Sequence, residues 1–575
     1  MIYKLTEPYL PKKSSHYGKD VLSKRGIEDI EDYLQPTSKA LIEPTLLTNI
    51  TRGMYMLNKH LRTQKPIFLQ IDSDMDGYMS ATIMYLYIKK HNPDKEIIWR
   101  VHEGKQHGII LDTIPDGIGL VIIPDAGSNQ TKEHNALIER GIDTLVLDHH
   151  DCTKEPSQHD RICVINNQIS RGYKNKSLCG AGVALKFCQY IDTFYNVEYA
   201  EDLYDLAAAG LVGDMMDLRN IETRYMVNRG LKNITNIGLK ALVTKQIYSI
   251  KDVSNVTPTH IAFYITPLVN AIVRVGTQEE KETMFLAFID GDGKKKSTKR
   301  GAKESDFETN AEQTARVATN ARNRQNRIKE KAIDILIHRI DKDELYKNPI
   351  IFIPITEEDE IPNTLTGLVA MNLMNKYNVP VLIGRENEEG VYKGSARADN
   401  NSKLANLKDF LQDSGYFDLA EGHQAAHGIA IKKTKVEGFL KYVNEQFNTE
   451  EIKEKRYLVD YIFDYGESLE QLVLQIGNMA HLWGQGVPEP KIVIRDIPVK
   501  KLDFSFMGKN KDRVKFTCGG VTFITFRNAK LKQDLEDHAS DNMTIIGRAN
   551  LNEWLGTVYS QMVISEINFM PNNGF

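Results

Sequence analysis

Long apolar runs are missing from this 575-residue chain, and its opening, MIYKLTEPYLPKKSSHYG, has no apolar signal core. The expectation is a soluble, cytoplasmic protein that is neither secreted nor membrane-bound. Cysteine is scarce. The five present, Cys152, Cys163, Cys179, Cys188 and Cys518, are odd in number and form no CxxC pair, which argues for reduced thiols. A large positive charge is also absent. At a net charge of −4 the chain is no basic nucleic-acid coat, and a polyanion would have to meet a local patch. Apolar residues at 41% and charged residues at 26% are ordinary for a globular protein. The length exceeds one ordinary core and suggests about two to four domains.

From Pro66 to Asp217 short β-rich runs (PIFLQID, EIIWRV, GLVIIPD, DTLVLD) alternate with helical stretches such as MSATIMYLYIKKH and KEHNALIERG. That alternation predicts an α/β fold with a parallel sheet, whose ligands sit at the carboxyl ends of strands. Those ends carry chemistry. PIFLQI runs into Asp72, Asp74 and Asp76, GLVIIP into Asp125, and DTLVL into Asp148, His149 and His150, while Asp214 follows the apolar helical run DLAAAGLVG. A second alternating region spans about Ile337 to Glu445, and a strand-rich one with Gly and Asn turns follows Tyr461, suggesting a small barrel or sandwich. Between the first two lie GDGKKKSTKRGAKE (Gly291 to Glu304), read as a flexible basic surface loop, and ATNARNRQNRIKEKAIDILIHRI, read as a connecting helix whose charges form a solvated face or a nucleic-acid edge.

Three aspartates on alternate residues repel one another, so something should hold them. A calcium loop would need a Glu as its twelfth residue, and Ile83 stands there. A lone acidic triplet is a solvated turn, a lone Asp125 a turn former, and a lone His-His pair a surface or core pair. At successive strand ends of one sheet, carboxylates and imidazoles instead make a site for hard divalent ions, with Gly77 permitting the bend from strand to helix. Two ions about 3.5–4 Å apart activate a water and stabilise both the attacking and leaving oxygens of phosphoryl transfer.

The ordered set DSDMDG (Asp72 to Gly77), PDAG (Pro124 to Gly127), DHH (Asp148 to His150) and GD (Gly213-Asp214) resembles the DHH phosphoesterase superfamily. Further stretches are similar to RecJ-type single-strand DNA exonucleases: RVHEGKQHG from Arg100, LCGAGVALKF from Leu178, PLVNAIVR from Pro267, LTGLVAMNLMNKYNVPVLI, KGSAR from Lys393, AEGHQAAHG from Ala420, WGQGVPEP from Trp483 and LNEWLG from Leu551. The resemblance covers nearly the whole chain. It implies a DHH catalytic domain with an N-terminal segment (1–290), a basic loop and long helix (291–336), a DHHA1 α/β domain (337–447) and an OB-like nucleic-acid-binding barrel (448–575).

The resemblance further implies 5′→3′ hydrolysis of single-stranded DNA to 5′-mononucleotides with two Mn²⁺ or Mg²⁺ ions, in DNA repair, recombination or replication. Single-stranded DNA is the implied partner, with single-strand-binding protein or a helicase as the protein partner. Carried over by motif, Asp72, Asp74, Asp76, Asp125, His149 and Asp214 are candidate metal ligands. His150 would lie by the scissile phosphate and Asp148 would orient a histidine. Arg100, Arg274, Ser395, Arg397 and His423 are candidate nucleic-acid contacts, the guanidinium fork matching phosphate oxygens. Phe504, Phe506, Phe516, Phe523 and Phe526 are candidates for base stacking or for barrel core.

Several positions depart from the family pattern. Gln70 stands where some DHH phosphoesterases carry a histidine ligand. Ile272-Val273 lack the glycine before Arg274. Glu421 and His427 replace a glycine and an alanine, and Pro362-Asn363 stands where a histidine is common. Two other readings are a DHH phosphodiesterase of short oligonucleotides or cyclic dinucleotides, and a catalytically silent DNA-binding scaffold. The strand-rich C-terminal region opposes the first, since a small substrate needs no extended stacking platform. The intact aspartates and DHH oppose the second.

Overall fold

The structure is a computed structural model that describes residues 2–571 apart from 105, 153–158, 251, 509–512, 527–529 and 555–556. The end of the LNEWLG stretch, Leu555 and Gly556, lies outside the described residues. The chain divides into two compact units, one of Asp29–Gln325 with His481–Val487, the other of Met1–Glu28, Asn326–Ala480 and Pro488–Phe575.

The first unit is built on the expected parallel sheet. Its elements are β1 (Ile67–Ile71), α1 (Met75–His91), β2 (Ile97–Val101), β3 (Leu120–Pro124), β4 (Asp143–Asp148), β5 (Ile162–Asn166), α2 (Gly180–Tyr195) and α3 (Tyr204–Gly213). The strands pair in parallel in the order β2-β1-β3-β4-β5. Every residue of β1, β3, β4 and β5 is buried. Alternate residues enter different cores: Ile67, Leu69 and Ile71 join Leu145, Leu147 and the side chains of α1, α2 and α3, whereas Phe68 joins Val121, Ile123, Val146 and Leu137. Burial on both faces explains why these strands read as unbroken apolar runs. The strand order reverses at β1, which has β2 on one side and β3 on the other. A crevice therefore opens at the carboxyl ends of β1 and β3, the place where such sheets bind ligands.

A buried ion pair fixes α2 on this core. Lys186 Nζ lies 3.0 Å from Glu222, and both side chains are at most 1% exposed. Glu222 also accepts from Tyr173 Oη, Asn175 Nδ2 and the Ile42 amide, so its lone pairs are filled by the fold.

The basic stretch from Gly291 differs from the expected flexible loop. It forms an antiparallel pair, β6 (Lys294–Lys296) with β7 (Phe307–Thr309), followed by the 33-residue α4 (Asn310–Lys342). Glu308 on β7 supplies the reason, because its buried carboxylate collects Ser297, Lys299 and Arg316 around it.

In the second unit, the strands Ile351–Ile355, Val381–Glu386, Val391–Arg397, Ala426–Lys432 and Phe417–His423 form a mixed five-stranded sheet in that spatial order. A seven-stranded mixed sheet follows, from Tyr461–Asp464 to Thr557–Met570. Residues 2–28, expected with the catalytic domain, belong to this second unit. The strand Ile2–Leu5 pairs in parallel with Arg456–Val459, and Arg25 grips Asp460 through two bonds of 2.8 and 2.9 Å.

Lys186→Met removes the cation and leaves Glu222 buried and uncompensated. It should cost about 3–5 kcal/mol in urea unfolding, and Lys186→Met/Glu222→Gln should recover part of that loss.

Candidate metal centre

The acidic stretch after β1 divides by hydrogen-bond partner within five residues. Asp72 is buried and accepts from His102 Nδ1 at 2.8 Å, from the exposed His107, and from the Ser73 amide. Burial would raise its carboxyl, but the bonds from the two histidines draw it down to about 2. Asp74 is the N-cap of α1, with its side chain accepting from the Gly77 amide at 2.9 Å. Asp76 lies in the first turn of α1 and accepts from the amides of Gly180 and Ala181, at 2.6 and 2.9 Å. These are free N–H groups at the start of α2, where the helix dipole favours an anion.

Glycine at two positions makes this closeness possible. A Cβ on Gly77 would stand 2.6 Å from Asp72 Cβ and 2.8 Å from its backbone, and one on Gly180 would stand 2.6 Å from Asp125 Cα. Asp125 itself turns off β3 with φ +67°, a left-handed conformation that Asp tolerates better than most side chains.

His149, after β4, faces three carboxylates: its Nε2 is 3.1 Å from Asp125 Oδ1, 3.4 Å from Asp214 Oδ2 and 3.8 Å from Asp76 Oδ2. Ligand atoms of Asp76, His149 and Asp214 lie within 4.8 Å of one another, as do those of Asp125, His149 and His150. Burial, and then the charges of Asp76 and Asp74, push the carboxyls of Asp125 and Asp214 well above the usual range. Burial, with Asp72 and Asp76, pushes Asp74 up to about 6. Burial pushes His149 down, favouring the neutral ring that ligates metals. Asp125 Oδ1 and His149 Nε2 are both buried without a hydrogen-bond partner. Carboxylates plus one neutral imidazole suit Mn²⁺ or Mg²⁺, and two orphaned buried acceptors aimed at one point are what a cation would satisfy. The residues fit such a group.

Asp148 stands back from this point. It accepts from the amides of Ser128, His149 and His150 and from His150 Nδ1 at 2.8 Å. Burial would raise its carboxyl, yet His150 and these donors hold it well below the usual range. In turn partial burial would lower His150, but Asp148 raises it to about 9, a cation at neutral pH. Its ring stands 5.2 Å from that of His107.

Of the expected ligands, Asp76, Asp125, His149 and Asp214 converge with His150 beside them. Asp72 and Asp74 lie outside both ligand groups, one taken up by histidines and the other by a helix cap. Gln70 does not point to a ligand role either: it is buried and bonds the Arg100 carbonyl and Thr113 Oγ1. Arg100 is exposed at the end of β2. Arg274 is half-buried, its guanidinium lowered by burial and by Arg322 and supported by the charge of Asp74. His102, His107 and Arg322 escaped the sequence reading. The histidines follow β2 on the ligand edge of the sheet, a position that could have flagged them.

The remaining expected contacts belong to the second unit. Ser395 Oγ meets Thr366 Oγ1 at 2.9 Å, Arg397 donates to the Ala396 carbonyl, and His423 is exposed at a strand end. Phe516 and Phe523 are stacked core rings, Phe504 packs on Phe516 and Phe506 is half-buried, whereas Phe526 is 49% exposed beside Arg513.

Residues 66–211 match the DHH family, N-terminal domain, and residues 459–566 match the RecJ OB domain. A putative SPbeta prophage-derived single-strand DNA-specific exonuclease, YorK, of Bacillus subtilis is 38% identical over 95% of both chains. The single-stranded-DNA-specific exonuclease RecJ of Bacillus subtilis is 23% identical over 95% of this chain and 67% of its own length. In fold, the chain matches the crystal structure of RecJ with Mn²⁺ from Thermus thermophilus, with a TM-score of 0.73 at 18% identity, over 99% of this chain and 79% of that one.

Mn²⁺ should raise the melting temperature of the full chain, and Asp214→Asn should abolish most of that rise. The folded Asp74 carboxyl titrates at about 6 against 3.8 in the unfolded chain, so the ion-free protein loses stability as pH climbs through that window. The Mn²⁺-induced rise in thermal scans should therefore be larger at pH 8 than at pH 5. Burial and the charges of Asp76 and Asp74 push the Asp214 carboxyl up to about 8, so only above that pH does Asp214→Asn remove a repelling charge, and at pH 9 without metal it should melt about 2 °C higher than the parent.

Proposed function

The chain belongs to the RecJ-type single-strand DNA exonucleases of the DHH superfamily, and on that premise we propose that it degrades single-stranded DNA 5′→3′ with divalent metal, releasing 5′-mononucleotides. Repair, recombination or replication of DNA is the setting proposed for it. The observation that carries this reading is the convergence of Asp76, Asp125 and Asp214 on His149, with Asp125 Oδ1 and His149 Nε2 buried and without a hydrogen-bond partner.

Those four residues, with Asp74 beside them, would hold two Mn²⁺ or Mg²⁺ ions. Such ions supply Lewis acidity at the scissile phosphate and at the water that attacks it. The remaining work falls to the chain's own groups. His150, kept cationic by Asp148, donates a hydrogen bond to a phosphate oxygen as charge builds there. Asp148 orients His150, and Asp72 orients His107 against the His150 ring. Arg274 and Arg322 carry mutually repelling guanidiniums that a phosphate would relieve, and Arg100 offers a further cation at the end of β2. In the second unit, Ser395, Arg397 and His423 are proposed phosphate contacts, and Phe526 a stacking surface. None of these groups reads base edges, consistent with a nuclease indifferent to sequence.

The test is incubation of the full chain with Mn²⁺ and 3′-labelled single-stranded DNA, with and without a 5′-phosphate. The label should remain on a shrinking strand while unlabelled mononucleotides appear from the outset. Asp76→Ala should be inactive, and His150→Gln should lose about 10²–10³ in kcat, the usual effect of removing one transition-state donor. DNA that stays intact while a dinucleotide is cleaved would replace this reading with a short-oligonucleotide phosphodiesterase. DNA bound but never cut would replace it with a scaffold.

A further inference from the structure

Gly291 to Glu304 holds six lysines and arginines against two acids, in a chain whose net charge is −4. The β6–β7 pair sorts its residues between two faces, because directly opposed residues share one. Lys295 opposes Glu308 on the inner face. There Lys295 Nζ donates to Thr283 Oγ1 at 2.7 Å. Glu308, 2% exposed, accepts from Ser297 Oγ at 2.8 Å and from Arg316 of α4 at 2.6 Å. Gln313 of α4 bonds the Lys296 carbonyl, and Arg316 also bonds Thr298 Oγ1. The hairpin is thus fastened to its unit by its inner face.

On the outer face Thr309 Oγ1 accepts from the Glu312 amide of α4 at 3.1 Å, and the lysines and the aromatic ring are left exposed. Lys296 opposes Phe307 and Lys294 opposes Thr309. Both lysines are exposed, and Phe307 is 60% exposed. An ion pair of Lys296 with the exposed Glu304, at 3.7 Å, is too solvated to hold the lysine. Lys294 and Lys296 are two residues apart on one face, about 6.7 Å. Two phosphate steps along a stacked strand span about the same distance, at roughly 3.4 Å each. An exposed aromatic ring among cations that follow a backbone is the combination that binds single strands without reading sequence. An acidic peptide would use the charge but has less need of a flat ring.

We propose that the outer face of the β6–β7 hairpin is a second single-stranded nucleic-acid site, with Phe307 stacking on a base and Lys294 and Lys296 bonding phosphates two steps apart along the strand. Arg300 and Lys303, exposed in the connecting turn, extend the cationic track. The site rests on the nuclease reading above and would hold strand that is not at the metal centre.

The experiment uses the full chain carrying Asp76→Asn to prevent cleavage, and a labelled thirty-nucleotide oligothymidine read by anisotropy across a salt series. Phe307→Ala should weaken binding about tenfold, the size of one base stack. Lys294→Ala/Lys296→Ala should lower the slope of log affinity against log salt by about 1.4, or 0.7 per phosphate contact. All three positions are outward-facing, so melting temperatures should match the background protein. With Asp76 restored, dinucleotide hydrolysis should be unchanged by the hairpin substitutions. Unaltered affinity and slope in the variants, with the background protein still binding, would overturn the hairpin site alone. Failure of the background protein to bind the oligonucleotide at all would overturn the nuclease reading with it. Equal displacement by polyglutamate and by unlabelled oligonucleotide would also overturn the proposal, since it would leave the ring without a role.

Discussion

Like charges brought together out of water are the constraint on which this fold turns. Asp72, Asp74, Asp76 and Asp125 are gathered at the carboxyl ends of two adjacent strands, and Asp214 joins them from the end of α3. Each of the first three is held by a donor of its own. Asp72 has two histidines, Asp74 the Gly77 amide, and Asp76 the free amides of α2. No such donor reaches Asp125 Oδ1 or His149 Nε2, which face each other at 3.1 Å.

That arrangement explains features remote from the crevice. The α2 N-terminus must sit close against Asp76 and Asp125, so Gly180 has no room for a side chain, and Lys186, further along the same helix, is locked to Glu222 inside the core. The sheet is buried on both faces, which leaves its strand ends as the place where charges from several elements meet solvent. Stability and chemistry pull in opposite directions here: the same burial that strengthens the electrostatics of the site raises the cost of its carboxylates when no cation is present.

A second division of labour runs through the histidines. His149 is pushed toward neutrality by burial, while His150, next in the chain, is held cationic by Asp148. Adjacent residues of one type thus serve as a candidate ligand and a candidate phosphate donor, because successive side chains leaving a strand end point in different directions.

The sequence by itself determined the parallel sheet and the clustering of Asp76, Asp125, His149 and Asp214. Unbroken apolar runs ending in acids and histidines have few other uses, and the order of those runs is local information. It placed Asp72 and Asp74 among the candidate ligands, while the packing of α1, α2 and the residues after β2 gives them different partners, two histidines for Asp72 and the Gly77 amide for Asp74. His102 and His107 were illegible, as their partner lies 30 or more residues away. The basic stretch read as a loop because its strands are three residues long and its anchor, Glu308, is a single acid after the charged run. The N-terminal strand joined the second unit through pairing with residues more than 450 positions distant. What only the tertiary structure decided, then, is which charges share a partner. That depends on distances across the fold, and a linear pattern carries no record of them.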